Sequence, residues 1–409
     1  MSLFCITMDK MIYMDNAATT RLYDEAFDAM LPFLKEDHAN PGAIYEYADN
    51  AKRAVAKARE EIASTIGAKP NEIYFTCSGT EADNWALKGM AELAAAAFNM
   101  SGYKKKAGND ETRKAPHIIT SAFEHHAVLN TCKWLERNGC RISYVKPDAN
   151  GIVSLREIEK LICADTVLVS VMFVNNELGT IQQVDRIGAL AHEHKIPFHT
   201  DAVAAYGHVP VNVKEMNIDL LSASGHKFNG PKGTGFLYID EKYKPDPFMH
   251  GGGQEQGRRA GTENVACIAA MAAAAAVHHK NMENDLIRRR ALDRYLIDRL
   301  RENDFRLGGR CGDRQVLING CMEGRLPGSF NITIPGVEAE EVIVRLGMEG
   351  ICVSAGAACA SLNDTASHVL TAIGLSLDAA DSSIRISMNE DNTEEEIDML
   401  FDVIRRVVR

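Results

Sequence analysis

The sequence predicts an α/β protein: a mainly parallel sheet covered by helices, followed by a smaller α+β unit. Three observations carry this. Through the first two-thirds of the 409 residues, apolar strand-like runs alternate with amphipathic helical stretches, as repeated β-α-β units require. Thr166–Val174 (TVLVSVMFV) is a continuous apolar run, the pattern of a strand buried on both faces. From about Ala266 the texture changes to long charged helices and then to a strand-helix-strand set that includes SFNITIP and SSIRISM.

Taken in order, Glu72–Thr76 (EIYFT) reads as a strand and Thr80–Ala97 as a helix. His117–Thr120 (HIIT) is the next strand, and the helix after it ends near Gly139, a C-cap residue. Arg141–Val145 is a strand, and Ser154 is placed to cap the helix SLREIEKLI. A helix over Val184–Lys195 leads to a short strand, Pro197–His199. The segment Asn99–Pro116 is polar and basic between a helix and a strand, which predicts a solvated insertion.

Composition narrows the function. An apolar content of 46% and a charged content of 25% suit a soluble globular chain. The net charge of −11 disfavours nonspecific attraction to nucleic acid or an anionic membrane. Asp9 and Lys10 interrupt the opening stretch, so it lacks the apolar core of a signal peptide. Val265–Val277 is mostly alanine and too short to span a bilayer. The expectation is a cytosolic protein that binds neither nucleic acid nor membrane. The ten cysteines form no C-x-x-C pair, so zinc and thioredoxin-like readings lack support. Most of them are expected to be reduced core residues.

Four junctions carry chemistry. Lys227, in SASGHKFNGPKGTGFLYI, follows an apolar strand and precedes the Gly-rich turn Gly230–Gly233. An amine at such a strand end can have its pKa lowered and form a Schiff base, and Ser224 and His226 beside it suit phosphate contacts. Asp201, in PFHTDAV, ends a strand 26 residues earlier. Alone it reads as a helix cap. With a lysine from a neighbouring strand, it can face the protonated nitrogen of a pyridine ring, as pyridoxal 5'-phosphate (PLP) requires. Thr76–Glu81 (TCSGTE) is a strand-turn-helix junction whose amides and positive dipole end suit a phosphate; Gly79 permits close approach. Glu124-His125-His126 puts an imidazole at a strand end, where it can stack on a ring and shuttle protons. Residue types alone do not choose between His125 and His126.

These junctions fall in an order that resembles one family. MIYMDNAATT (11–20), TCSGTEADN (76–84), EHHAV (124–128), VNNELG (174–179), DAV (201–203) and SGHK (224–227) are followed by GGGQEQGRRAGTEN (251–264), SAGAACAS (354–361), SHVL (367–370) and SSIRIS (382–387). The chain resembles the cysteine desulfurases, of the class V aminotransferase group of fold-type-I PLP enzymes, from Met11 to Arg409. The resemblance implies a large PLP-binding domain (21–264) with a mainly parallel seven-stranded sheet. It also implies a small domain (1–20 and 265–409) that carries a catalytic cysteine loop. The cofactor would be PLP and the substrate L-cysteine. By motif, Lys227 would be the Schiff-base lysine, Asp201 the partner of the pyridine nitrogen, and His125 the ring-stacking proton carrier. Asn176 would bond near the ring hydroxyl and the substrate carboxylate. Gly79, Thr80, Ser224 and His226 would hold the phosphate, with Thr262 reaching the phosphate of a partner subunit in a homodimer. Arg385 would clamp the substrate carboxylate, for which a planar guanidinium is suited.

Cys359 decides between desulfuration and other PLP chemistry. It sits among small residues in Ser354–Ser361, and its gap of eight residues to Ser367 matches the family's long-loop subgroup. The resemblance makes it the thiolate that attacks the substrate sulfur, leaving alanine and a persulfide for a protein acceptor such as a cluster scaffold. Iron–sulfur clusters or thiolated products would receive the sulfur. The alternatives are a selenocysteine lyase or aminotransferase of the same fold, with Cys359 incidental, and a PLP-containing scaffold without turnover. The chain departs from the family pattern at Ala204, where relatives carry glutamine, at Ala357 and Ala360 beside the cysteine, and in GAIYEYAD after Asn40-Pro41.

Overall fold

The computed structural model describes residues 11–97, 115–302, 306–307, 314–356 and 366–408. The basic insertion expected over 99–116 lies, but for its last two residues, outside them. After a short strand β1 (Ile12–Tyr13), seven strands build the central sheet: β2 (Ile73–Thr76), β3 (His117–Ser121), β4 (Arg141–Val145), β5 (Thr166–Ser170), β6 (Phe198–Asp201), β7 (Leu220–Ser224) and β8 (Gly235–Ile239). Their order is β2-β8-β7-β6-β5-β3-β4. β8 runs antiparallel to β2 and β7, and every other pairing is parallel. Helices α1 (Asp24–Lys35), α2 (Asp49–Thr65), α3 (Gly79–Ala97), α4 (His126–Arg137), α5 (Leu155–Leu161) and α6 (Val184–Glu193) make the crossovers and cover the faces.

The strands read as apolar runs because the helices bury both faces. Every residue of β2, β3, β6, β7 and β8 is buried, whereas β4, at the rim, exposes Arg141. The run Thr166–Val174 is strand only to Ser170. Beyond it, the amides of Val171 and Phe173 still donate to the carbonyls of His199 and Asp201, at 3.2 and 2.9 Å. The chain thus follows β6 out of the ladder and into the site.

α7 (Val265–Glu302) is one helix of 38 residues. After it come β9 (Arg306–Leu307), β10 (Arg314–Gln315), β11 (Leu317–Ile318), β12 (Ser329–Thr333), α8 (Ala339–Met348), β13 (Ile351–Cys352), α9 (His368–Ala372), α10 (Leu377–Asp381), β14 (Ser383–Ser387) and α11 (Glu394–Val408). β11, β12 and β14 form an antiparallel sheet, and β1 pairs in parallel with β13. On α11, Ile397, Leu400, Phe401 and Ile404 are buried at helical spacing, packing its apolar stripe onto a second core that also takes in Ile12 and Met14. α7 is shared. Its Val265, Ile268, Met271 and Ala275 belong to the core of the central sheet, and its Leu292, Leu296 and Leu300 to the second core.

Candidate active site

A cavity of about 220 Å³ opens at the carboxyl ends of the parallel strands, against the first turn of α3, where α/β sheets bind ligands. Its wall brings together Gly79, Thr80, His125, Asn176, Asp201, Ser224, His226, Lys227 and Arg385. Ala17, Ala18, Asp83 and Met172, not expected from the sequence, complete it with Ser78, Val203 and Ala204.

The lysine is set by the turn after β7. Gly225–Lys227 is a single 3₁₀ turn, closed because Gly230 lies so near that a Cβ there would sit 2.9 Å from the Gly225 carbonyl. The amide and hydroxyl of Thr20 both donate to the His226 carbonyl at 2.9 Å. His208 Nε2 donates to the Lys227 carbonyl at 2.7 Å. The Lys227 amine itself donates to the carbonyls of Ala17 and Ala18, at 2.5 and 3.0 Å. An N-terminal arm therefore holds the amine inside the cavity.

Asp201 ends β6, and β6 pairs directly with β7, with Asp201 opposite Ser222. Aspartate and lysine thus come from neighbouring strands. Asp201 is 4% exposed, and one of its oxygens accepts the Val203 amide at 2.9 Å; no helix lies between β6 and β7, so this bond shapes a turn and is not the helix cap that the residue alone suggests. Burial pushes its carboxyl up to about 6, against the pull of the Val203 amide and the Lys227 charge.

The start of α3 is braced as an anion cradle. Ser78 Oγ accepts the Glu81 amide at 3.1 Å, and the Glu81 carboxylate accepts the Cys77 amide at 2.7 Å. Arg259 grips both Glu81 oxygens at 2.7 and 3.0 Å. Burial would raise the Glu81 carboxyl, but Arg259 and the Cys77 amide hold it below its usual range. Gly79 and Thr80, the first residues of α3, line the cavity, where the first-turn amides of a helix suit an anion. A Cβ at Gly79 would stand 2.4 Å from Val203 Cγ2, so only glycine keeps this approach open. Across the cradle, burial and then the Lys227 charge push His226 down to about 4, leaving a neutral ring 3.2 Å from Thr19 Oγ1.

The histidine pair separates cleanly. His125 lies at the N-cap of α4, and its Nδ1 accepts the Ala127 amide at 3.1 Å. That bond assigns the proton of the neutral ring to Nε2. Burial first, then the charge of Lys227, lowers its pKa to about 4. His126 instead lies tilted against His368, with ring centroids 4.7 Å apart, and His368 Nε2 donates to the Glu124 carbonyl at 2.9 Å. Asn175 and Asn176 separate in the same way. The side-chain oxygen of Asn175 accepts the amides of Glu177 and Leu178 and shapes the turn, while Asn176 faces the cavity.

Arg385, on β14, is 2% exposed. It donates to the Asn176 carbonyl at 3.0 Å and to Asp15 at 2.8 Å. Its Nε has no acceptor among the described residues. Its backbone pairs with Ser354 through bonds of 2.5 and 3.1 Å, which brings the chain before residue 357 to the cavity's edge. Cys359 lies outside the described residues. Thr262 is exposed and outside the cavity wall. Of the seven described cysteines only Cys132, Cys140 and Cys267 are buried, fewer than expected. Among the described residues no helix is long and apolar enough to cross a membrane.

Comparison with known proteins adds an independent line. The family model described as Aminotransferase class-V matches residues 12–400. "Cysteine desulfurase IscS" of Methanosarcina thermophila is 44% identical over 98% of this chain and 93% of its own. A solved structure titled "NIFS-LIKE PROTEIN" superposes with a TM-score of 0.84 at 35% identity, over 97% of this chain and 99% of that one. Another, titled "SspA in complex with cysteine", gives 0.76 at 35% identity, over 93% and 100%.

Proposed function

We propose how the work is divided among the residues of a chain that belongs to the aminotransferase class-V family and, within it, is a cysteine desulfurase. That family is PLP-dependent in general, and we assign PLP to the cavity of this chain. The residues present fit it. Asp201 offers a buried carboxyl to a cationic ring nitrogen, Gly79 and Thr80 open α3 in the same wall, where a helix start suits a phosphate, and Lys227 lines the cavity with them. When bound, PLP supplies an aldehyde for the substrate amine and a ring that withdraws electrons from the α-carbon.

This chain's own groups do the rest. Gly79, Thr80, Ser224 and His226 hold the phosphate, and Asp201 keeps the ring nitrogen protonated. The neutral ring of His125, with its proton on Nε2, would lie against the cofactor ring and hold that proton beside it. Arg385 grips the carboxylate of L-cysteine, with Asn176 beside it, and so aims the α-hydrogen at Lys227. The Lys227 amine takes that proton and returns one. Cys359, as thiolate, attacks the substrate sulfur; the carbon–sulfur bond breaks with its electron pair kept by the β-carbon, which takes a proton and becomes the methyl of the departing alanine, and the sulfur stays as a persulfide for a protein acceptor. Thr262, exposed and away from its own cavity, serves the phosphate site of a second subunit in a homodimer. Phe27, Leu31 and Leu34 support that pairing as an exposed stripe along α1. A cytosolic setting, with iron–sulfur or thio-modification acceptors, completes the reading.

The observation that carries it is the joining of Lys227, Asp201 and Arg385 in one cavity wall. The test is alanine and sulfide release from L-cysteine, comparing wild type with Cys359→Ala and Lys227→Ala. Lys227→Ala is expected to abolish both turnover and the visible cofactor band. Cys359→Ala should keep the band and lose sulfur transfer. Full turnover in Cys359→Ala would instead favour a lyase or aminotransferase that does not use this thiol.

A further inference from the structure

Behind the turn that carries Lys227 runs a hydrogen-bonded chain that the reaction as described does not use. A small cavity of about 40 Å³ shares Lys227 and Ala204 with the wall of the larger one, and its own lining adds His208, Arg289 and Glu390. His208 follows β6, with its amide tied to the Ala205 carbonyl at 2.9 Å. Its Nε2 stands 2.7 Å from the Lys227 carbonyl, and its Nδ1 3.2 Å from Nη1 of Arg289. Gly207, at φ +83°, presses this segment against the residue after the lysine: a Cβ there would stand 2.7 Å from Phe228 Cβ. Arg289 comes from α7 and is 2% exposed. Its Nε donates to the Asp285 carbonyl at 3.4 Å and lies 4.0 Å from Oε2 of Glu390, whose Oε1 accepts the Tyr23 hydroxyl at 2.9 Å.

Both partners of the imidazole have a single hydrogen-bonding role. A guanidinium only donates, so Nδ1 accepts; a carbonyl only accepts, so the ring proton is on Nε2. The tautomer is fixed from both ends. A second proton would aim an Nδ1–H at the guanidinium, and the other groups facing the ring do not favour it. His278 lies edge-on with ring centroids 5.4 Å apart and is itself held neutral, chiefly by burial. Desolvation first, then the Arg289 charge, lowers the His208 pKa well below its usual range, and the Lys227 charge adds to this. The bond to the Lys227 carbonyl therefore persists while protons move in the active-site cavity.

We propose that His208 is a positioning residue for Lys227: locked by Arg289 as the Nε2–H tautomer, it pins the main-chain carbonyl of the lysine and so sets where the amine stands once it is released from the cofactor. This rests on the reading that PLP is held through Lys227 and that the same amine moves the α-proton. The lysine stem is flexible. The reach of a free amine to the substrate α-carbon thus depends on where the turn holds its Cα. An error of about 1 Å in such a geometry costs about 10²-fold in rate. His208 lies outside the wall of the active-site cavity and acts through Lys227.

The test compares three substitutions in two readouts. One is kcat and KM for alanine formation from L-cysteine. The other is the rate at which the full chain, stripped of PLP, regains the visible band when PLP is returned. His208→Gln keeps a donor at the place of Nε2 and should stay within about threefold of wild type in both. His208→Asn keeps an acceptor for Arg289 but is too short to reach the Lys227 carbonyl. Like His208→Leu, it should lose about 10–100-fold in kcat and capture PLP about tenfold more slowly, with KM within about threefold. If His208→Leu fails to fold, the comparison of Asn with Gln decides alone. Wild-type kcat in His208→Asn, or a loss in His208→Gln as large as in His208→Asn, would overturn the proposal. In protein carrying isotope-labelled histidine, the nitrogen NMR signal lost in His208→Gln should be that of a neutral ring protonated on Nε2; a proton on Nδ1, or an imidazolium, would overturn it too. Lys227→Ala separates the layers. If it keeps the band and turnover, the reading of the site fails; if it loses both while His208→Asn matches wild type, only the role of His208 falls.

Discussion

The two rims of the central sheet put the same residue types to opposite uses. At the amino-terminal rim each buried acid is matched. Asp219, just before β7, is 1% exposed and accepts the Phe198 amide at 2.8 Å and His192 Nε2 at 2.7 Å, with the Lys242 ammonium 2.6 Å from its other oxygen. Glu72, just before β2, meets the Lys214 ammonium at 2.9 Å and the Lys69 amide at 2.8 Å. Burial would lower the Lys214 pKa, but Tyr238, Glu72 and Asp240 together raise it. At the carboxyl rim Asp201, Asp83 and Glu124 are buried with raised carboxyls, and His125 is held neutral. Matched charges lock the first rim. Unmatched ones leave the second ready to trade protons with a ligand, at a cost in stability.

The sharpest way to break this contrast is at Asp201. Asp201→Ala should cut the catalytic efficiency of alanine formation by about 10³-fold, the scale of losing a catalytic proton partner. A loss under tenfold would place the site elsewhere. Arg385→Lys keeps the charge but not the fork, and should raise KM for L-cysteine about 10–100-fold with a smaller change in kcat. At the opposite rim, Asp219→Ala should lower unfolding free energy by about 2–3 kcal/mol in urea titrations while leaving kcat/KM unchanged. A fall in kcat/KM there would erase the distinction between the rims.

The smallest effect is one of pH. Burial raises Glu124 to about 8 in the folded protein, against an ordinary value of 4.5, with Ser121 and the Met172 amide opposing. The folded state therefore keeps a proton that the unfolded chain has released. Stability from this group is full below pH 4.5 and is lost as pH rises through 8. The lowered histidines, such as His125 at about 4, act with the opposite sign, but only up to about pH 6.5. The urea midpoint of the apo-protein should therefore fall between pH 6.5 and 8, and Glu124→Gln should flatten that slope.

Much of this arrangement was legible in the sequence because strand ends are legible. Apolar runs located β2, β3, β4, β6 and β7, and the residues just past them had to fall at one rim of a parallel sheet. That placed Lys227, Asp201 and the His125-His126 pair together. Partners that depend on side-chain direction were not legible. Asp83 stands four residues after Gly79, one helical turn up on the same face, a spacing that could have marked it. The carbonyls of Ala17 and Ala18 come from a backbone path that residue types do not encode. Asn175 and Asn176 look alike in the chain, and a turn geometry sends one to structure and the other to the cavity. Ser154 shows the converse: it occupies the N-cap of α5 as expected, yet its side chain makes no capping bond.

Because α7 threads both cores, the two halves of the molecule share a single spine. Lys227 and Asp201 lie on the sheet that its first turns brace, and Arg385 on the strands that its last turns brace. Heating should therefore melt the two halves in a single calorimetric transition. Distant packing at Leu296 thus becomes part of how closely Arg385 and Lys227 stay in alignment.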